Sequence, residues 1–254
     1  MARWLAYEWN DRELRVAVAT SRSDRLILEH LFDVNLRDAL GGAPAGEEPF
    51  RPSAEDIGRC LAAALAARNI RRPTTFVTIS RSLVELRQLS VPPVSDDDLP
   101  EVVKLQALRE FTHVTEDWSI DYLPLDGDPT QPRNVLVAAL SPQLLSQIQD
   151  TCRVAQLRPE RLLLRPCASA SLARRCLPLS EGEIRLVIDL VGDEVDLSVI
   201  VEGRLVFMRT ARLVGDPLRD PSSAETLVGE IRRTMMAAQN QLGGGRANHL
   251  VLCG

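Results

Sequence analysis

The sequence predicts an α/β protein of two lobes built on one plan, and three observations carry that expectation. The order strand, strand, strand, helix, strand occurs twice, first near the start of the chain and again after Glu183. The strand segments alternate or are rich in β-branched residues, whereas the helical segments space their apolar residues three and four apart. Between the repeats lies an excursion with strands and helices of its own, expected at about 83–158 as a small inserted α/β subdomain. The expected domains are residues 1–181, carrying that insertion, and residues 182–254.

In the first repeat, residues 4–9 form a short apolar run closed by the polar turn Asn10-Asp11-Arg12. Residues 14–19 resume with alternation, as a hairpin partner does, and 26–32 supply a third strand. Gly41-Gly42-Ala43-Pro44-Ala45-Gly46 is a loop by composition. A helix begins at Ser53, where Ser53-x-x-Asp56 is a capping-box pattern: each side chain covers an otherwise orphaned amide. Ile57, Leu61, Ala64 and Leu65 make its apolar stripe, and the β-branched run 74–79 closes the repeat.

The excursion opens with an extended run, 83–91, ended by Pro92-Pro93. Ser95-Asp96-Asp97-Asp98 is expected to start a helix, with three carboxylates near its positive N-terminal dipole. Strands at 118–125 and 134–140 are joined by the turn-rich Asp126-Gly127-Asp128-Pro129. Ser141-Pro142 has the N-cap and first-position chemistry of a helix start, and Leu144, Leu145, Ile148 and Cys152 mark its buried face. A short strand at 161–164 and a small-residue helix at 168–174 follow.

The second repeat has strands at 184–190, 195–201 and 204–210, with Glu202-Gly203 as a tight turn. A long helix is expected at 224–242, striped by Leu227, Ile231, Met235, Ala238 and Leu242, and a closing strand at 249–253.

Composition narrows the function. An apolar fraction of 45% is ample for a core, but at 4% aromatic residues the aliphatic side chains must fill it. Thirty Lys and Arg stand against 35 Asp and Glu, a formal net charge of -5, which disfavours a nucleic-acid partner. No stretch approaches the roughly 20 apolar residues of a membrane span, and the first residues lack the apolar core of a signal peptide. Cys60, Cys152, Cys167, Cys176 and Cys253 are odd in number and have no C-x-x-C spacing. They read as small buried thiols of a reducing compartment, with no metal site, so a soluble cytoplasmic protein is expected.

Two strand-to-turn junctions carry acids: Glu8-Trp9-Asn10-Asp11-Arg12 and Asp189-Leu190-Val191-Gly192-Asp193, with Asp196 just beyond the second. Each lies where the first hairpin of a repeat turns. Backbone amides at such turns can hold phosphates, and acids can hold a metal ion that bridges to them. The plainer alternative is that these acids cap turns.

The run Leu186-Val187-Ile188-Asp189-Leu190, then Asp196-Leu197-Ser198-Val199, Gly203-Arg204-Leu205 and Arg209, resembles the second phosphate motif of actin-like proteins. Glu230-Ile231-Arg232-Arg233, and Asp121-Tyr122 after a helix containing Gln106, are similar to the PilM family of type IV pilus assembly proteins. So is Leu250-Val251-Leu252-Cys253-Gly254, which looks like the strand leading into that family's adenosine-contacting glycine pair. A related resemblance is to the cytoplasmic domain of the type II secretion L protein. The implied fold is the actin-like, ribonuclease-H-like two-lobed α/β fold. The implied continuation of the second lobe after Gly254 makes that lobe incomplete here, with apolar surface expected on the long helix and last strand.

For ligands, the resemblance implies ATP with magnesium, at Glu8, Asn10, Asp11, Arg12, Asp189, Gly192, Asp193, Asp196 and Gly254. The chain departs from the pattern at four of the family's positions, the first being Glu8 where Asp is usual. Asn10 and Val191 stand where Gly is usual, and Val195 where Thr is usual. A branched Cβ hinders the close approach and positive φ that Gly permits. The expectation is therefore an assembly protein with weak or no ATPase activity and no assigned catalytic residue. By the resemblance its partners are a bitopic inner-membrane protein and a secretion ATPase, with self-association as a further expectation. The competing reading is an active ATPase or sugar kinase of the same superfamily, which needs intact phosphate loops. A nuclease built on Glu8, Asp189 and Asp196 lacks a basic channel.

Overall fold

A computed structural model describes residues 3–22, 25–41, 50–71, 73–125, 127–178, 180–239, 242 and 244–254. The chain forms two compact units: Met1–Ile79, Thr112–Ile120 and Ala139–Leu163 in one, Ser80–Phe111, Asp121–Ala138 and Leu164–Gly254 in the other.

The first unit holds β1 (Arg3–Trp9), β2 (Glu13–Arg22), β3 (Arg25–Asn35), the one-turn helix α1 (Leu36–Ala39), α2 (Ala54–Ala66) and β4 (Thr74–Ile79). β1 pairs antiparallel with β2 and parallel with β4, and β2 pairs antiparallel with β3. Alternation sets the faces: Leu5, Tyr7, Leu14, Val16, Val18 and Val77 are buried, whereas Trp4, Leu28 and Leu31 of the other face are exposed. α2 begins with the expected capping box, Ser53 with Asp56. The Gly42–Gly46 part of the expected loop, Asp126, and residues 240, 241 and 243 near the expected end of the long helix lie outside the described residues.

The middle of the chain supplies a 3-10 turn at Arg81–Leu83, β5 (Glu85–Val91), α3 (Leu99–Glu110), β6 (Ser119–Pro124), β7 (Arg133–Leu140), α4 (Pro142–Val154) and β8 (Pro159–Leu164). β5, β7 and β6 make a three-stranded sheet in that order, and β8 joins the first sheet beyond β4. α4 starts on the Ser141 cap as expected and packs against α2. The approach is close: a Cβ on Gly58 would lie 2.7 Å from Val154 Cβ. α4 also reaches β1, through Cys152 Sγ, 2.9 Å from the Tyr7 hydroxyl; burial raises the pKa of both groups.

The acidic run leads into α3 as expected: Asp98 is the N-cap, its backbone N–H donates to the Ser95 hydroxyl at 3.2 Å, and the helix begins at Leu99-Pro100. Asp96 pairs with the buried Arg133 at 2.5 Å. Pro100 then fits the first turn, where its missing N–H has no partner to lose.

The second unit's main sheet is formed by β9 (Ile184–Val191), β10 (Glu194–Val201), β11 (Arg204–Arg212) and β12 (His249–Cys253), in the order β11-β10-β9-β12. That is the order β3-β2-β1-β4 repeated, so the doubled plan read from the sequence is present. α5 (Arg165–Cys176) covers one face, where Ala170 and Ala173 meet Val187 and Ile200. α6 (Pro221–Ala237) covers the other, over Leu186, Ile188, Val195, Leu197 and Val199. α6 starts earlier than expected, on an Asp220 cap that the Pro221 signal marks, and ends at Ala237. Leu242 belongs to the following turn yet stays buried. Of the thiols, Cys60 and Cys152 are buried, Cys167 and Cys253 partly so, and Cys176 is exposed at the end of α5, against the expectation of burial.

Candidate functional site

The first turn, in the first unit, closes on itself. Asn10 Oδ1 accepts hydrogen bonds from the backbone N–H of Arg12 (2.8 Å) and of Glu13 (2.9 Å), and the Asn10 N–H donates to the Glu13 carbonyl at 3.0 Å. This is an Asx-type turn, in which a short polar side chain imitates the backbone. Glu8 lies on β1 and pairs with Arg15 of β2 at 3.2 Å. Asp11 and Arg12 are exposed at the tip.

The second turn, in the second unit, is a two-residue hairpin loop. Gly192 takes φ +65 between Val191 and Glu194, which face each other across the strands. Positive φ at the first central position is the pattern of a II′ turn, and it places Gly where Gly is needed. Asp193 is exposed. Val191 and Val195 are strand residues, and Val195 is fully buried in the α6-side core. Gly254 follows β12 and lies against Leu190: a Cβ there would sit 2.9 Å from the Leu190 carbonyl oxygen.

Asp189 and Asp196 are cross-strand neighbours on the α5 face of the sheet. Two carboxylates side by side repel unless something answers them. Arg165, in the first turn of α5, donates from Nε to Asp196 at 2.6 Å and from Nη2 to Glu194 at 2.9 Å. Thr210 of β11 donates to the other Asp196 oxygen. One helical turn beyond Arg165, the Ser169 hydroxyl donates to Asp189. Glu194 also accepts from Ser80 and Ser82, each at 2.9 Å. Burial would raise the Glu194 pKa, but the hydrogen bonds from Arg165, Ser82 and Ser80 together with the Arg165 charge outweigh it, and the carboxyl lies below its usual range. Asp196 is 1% exposed and Arg165 9%.

The structure therefore brings Asp189, Gly192, Asp193, Asp196 and Gly254 to one end of one sheet, with Glu8, Asn10, Asp11 and Arg12 around the other turn. Sequence reading missed Arg165, Glu194, Ser80, Ser82 and Thr210. A signal for Arg165 was present: a cation between Leu164 and Pro166, in the first turn of a helix, opposes the helix dipole and so calls for a carboxylate partner. Of the acids around the second turn, Asp196 and Glu194 are engaged by the protein itself. Both Asp196 oxygens and both Glu194 oxygens already accept protein hydrogen bonds, and a buried Val side chain stands at 195. Among the described residues no group of three His, Cys, Asp or Glu could hold a metal ion.

The doubled strand order, with the chain crossing through a helix to a parallel fourth strand in each sheet, is that of the actin-like fold. Solved structures share this fold. A chain of a PilM–PilN type IV pilus biogenesis complex superposes with a TM-score of 0.78 at 18% identity, covering 98% of this chain and 80% of that one. The cytoplasmic domain of EpsL, an inner membrane component of the type II secretion system of Vibrio cholerae, gives 0.53 at 14% identity, covering 83% and 71%. A Bacteroides thetaiotaomicron protein with the actin-like ATPase fold gives 0.52 at 9% identity, covering 99% and 82%. These likenesses establish the fold, and the fold is the one the PilM resemblance implied. No family model matches the sequence, and no curated protein matches it.

Proposed function

We propose that this chain is an actin-like assembly protein of a type IV pilus or type II secretion-like platform, with weak or no ATPase activity. It works in the cytoplasm, peripheral to the inner membrane, holding the cytoplasmic tail of a bitopic membrane protein and meeting a secretion ATPase. Among the described residues no helix is long and apolar enough to cross a membrane, so attachment through a partner accords with the reading. The lobe division at 181/182, with the insertion at about 83–158, is part of the proposal.

The observation that carries it is the Arg165 cluster. An ATPase of this fold needs its second-turn carboxylates free to act on a metal-bound phosphate. Here a guanidinium and hydroxyls from the same chain engage them. Support for the assembly side comes from a relative of the same fold that belongs to a PilM–PilN complex.

The test is calorimetric titration with magnesium and ATP, phosphate release by the same protein, and titration with a peptide of the bitopic protein's cytoplasmic tail. Saturable peptide binding with no turnover is expected. Turnover that disappears in Asp189→Ala would replace this reading with the ATPase or kinase one.

A further inference from the structure

The two ends of the second unit's main sheet differ in charge. At the Gly192 end stand Asp189, Asp193, Glu194 and Asp196, with Arg165 among them. At the other end, strand register gathers the starts of β9, β11 and β12 and the close of β10. Val201 faces both Ile184 and Arg204, and His249 lies beside Arg185. The C-terminal end of α5 is held there too, because the buried Arg185 donates to the carbonyls of Ala173 (3.1 Å) and Pro178 (2.9 Å). The loop before β12 joins them through Asn248, whose Oδ1 accepts from the Ile184 N–H at 2.9 Å.

Four exposed cations share this end: Arg174 and Arg175 in the last turn of α5, Arg204 at the tight turn into β11, and Arg246 in the loop before β12. Its exposed acids are Glu181 and Glu202, while Glu183 is buried and answered by Arg185. The balance is therefore positive, on a chain whose net charge is -5. Among the described residues none of the four arginines has an ion-pair partner. By contrast, Arg59, Arg153, Arg219 and Arg233 each pair with an acid three residues earlier. Arginines at a helix C-terminus complement the helix dipole, which accounts for Arg174 and Arg175 but not for Arg204 and Arg246. Nor does it account for the leucines around them. Leu172, on the helix face of Arg175, is 60% exposed, and Leu177 is 38% exposed.

We propose that this end of the second unit docks on an anionic lipid surface. The arginines engage headgroup phosphates, and Leu172 and Leu177 reach the boundary of the acyl chains. A lipid surface fits better than an acidic peptide because the cations stand on a helix end, a hairpin turn and a loop, with leucines exposed beside them. Basic residues interleaved with protruding apolar side chains are the pattern of interfacial binding. The proposal deepens the peripheral membrane location proposed above and rests on that reading for the membrane it meets. The experiment needs no partner protein, so the two readings can fail separately.

The test is cosedimentation of the protein with vesicles of phosphatidylcholine alone and of phosphatidylcholine mixed with phosphatidylglycerol. Binding is expected to the mixed vesicles only, and it should weaken as salt rises. Arg174→Glu with Arg175→Glu, and separately Arg204→Glu with Arg246→Glu, should each weaken it by about tenfold or more. Arg59→Glu with Arg153→Glu, the same change of net charge on α2 and α4, should leave it unchanged. Leu172→Ser with Leu177→Ser should lower binding and leave the salt dependence in place. The turn and loop pair decides the matter even if the helix pair unfolds. Failure to bind the mixed vesicles, or equal loss in the Arg59 and Arg153 control, would overturn the proposal. So would soluble poly-glutamate that binds as tightly as the vesicles and is lost in the same variants, since the surface would then be one for an acidic chain.

Discussion

The first hairpin turn of each main sheet stands at the same point of the repeated plan, yet the two turns are held by different means. In the first, every partner is local: Asn10 caps Arg12 and Glu13, and Glu8 pairs with Arg15 seven residues on. In the second, the turn itself needs only Gly192, but its acids are held from a distance, by Ser80, Ser82, Arg165 and Ser169. A half-exposed local pair can be lost at little cost, because water replaces the partner. A buried ion cluster cannot, because removing one member strands the others out of reach of water. Equivalent positions in a duplicated plan thus carry unequal energetic weight.

The largest effect that would test this contrast is at Arg165. Arg165→Met leaves the buried Asp196 and the partly buried Glu194 without their cation and is expected to lower unfolding stability by about 3–5 kcal/mol, read by urea titration. Loss below about 1 kcal/mol would place the cluster on the same footing as the surface pairs. Gly192→Ala comes next, at about 1–2 kcal/mol, since it forces a Cβ into the left-handed region. Asn10→Ala removes the acceptor of two backbone N–H groups and is expected to cost about 1 kcal/mol. Arg15→Met, which breaks the Glu8 and Glu13 pairs, should cost less than about 1 kcal/mol and become neutral in high salt.

Acid titration sharpens the comparison. Because the Glu194 carboxyl lies below its usual range in the folded protein, its contribution is present above the ordinary Glu pKa of about 4.3 and is lost as the pH falls below that value. Glu194→Gln should therefore flatten the acid limb of the stability profile relative to the parent. An unchanged limb would mean that Glu194 is not stabilised by its partners.

The sequence by itself determined the elements and their order. Periodicity located the strands of both repeats, Ser53 marked the helix start of the first repeat and Ser141 one in the excursion, and Gly192 and Glu202-Gly203 marked the turns of the second. These signals are legible because the physics is local: capping, turn dihedrals and alternation each involve residues a few positions apart. Where burial outlasted the helix, the reading slipped: the Leu242 apolar signal ran past the end of α6, because a turn residue can be buried as well as a helical one. The candidate site was half legible. Asp189, Gly192 and Asp196 stand together where the repeat placed them, since strand pairing is part of the plan. That Arg165, Ser169 and Thr210 would engage those acids was decided by the tertiary structure, because α5 brings its first two turns over the sheet only when the whole second unit packs. The charge was written in the sequence; its neutralisation was decided in three dimensions, where a buried carboxylate must find a partner.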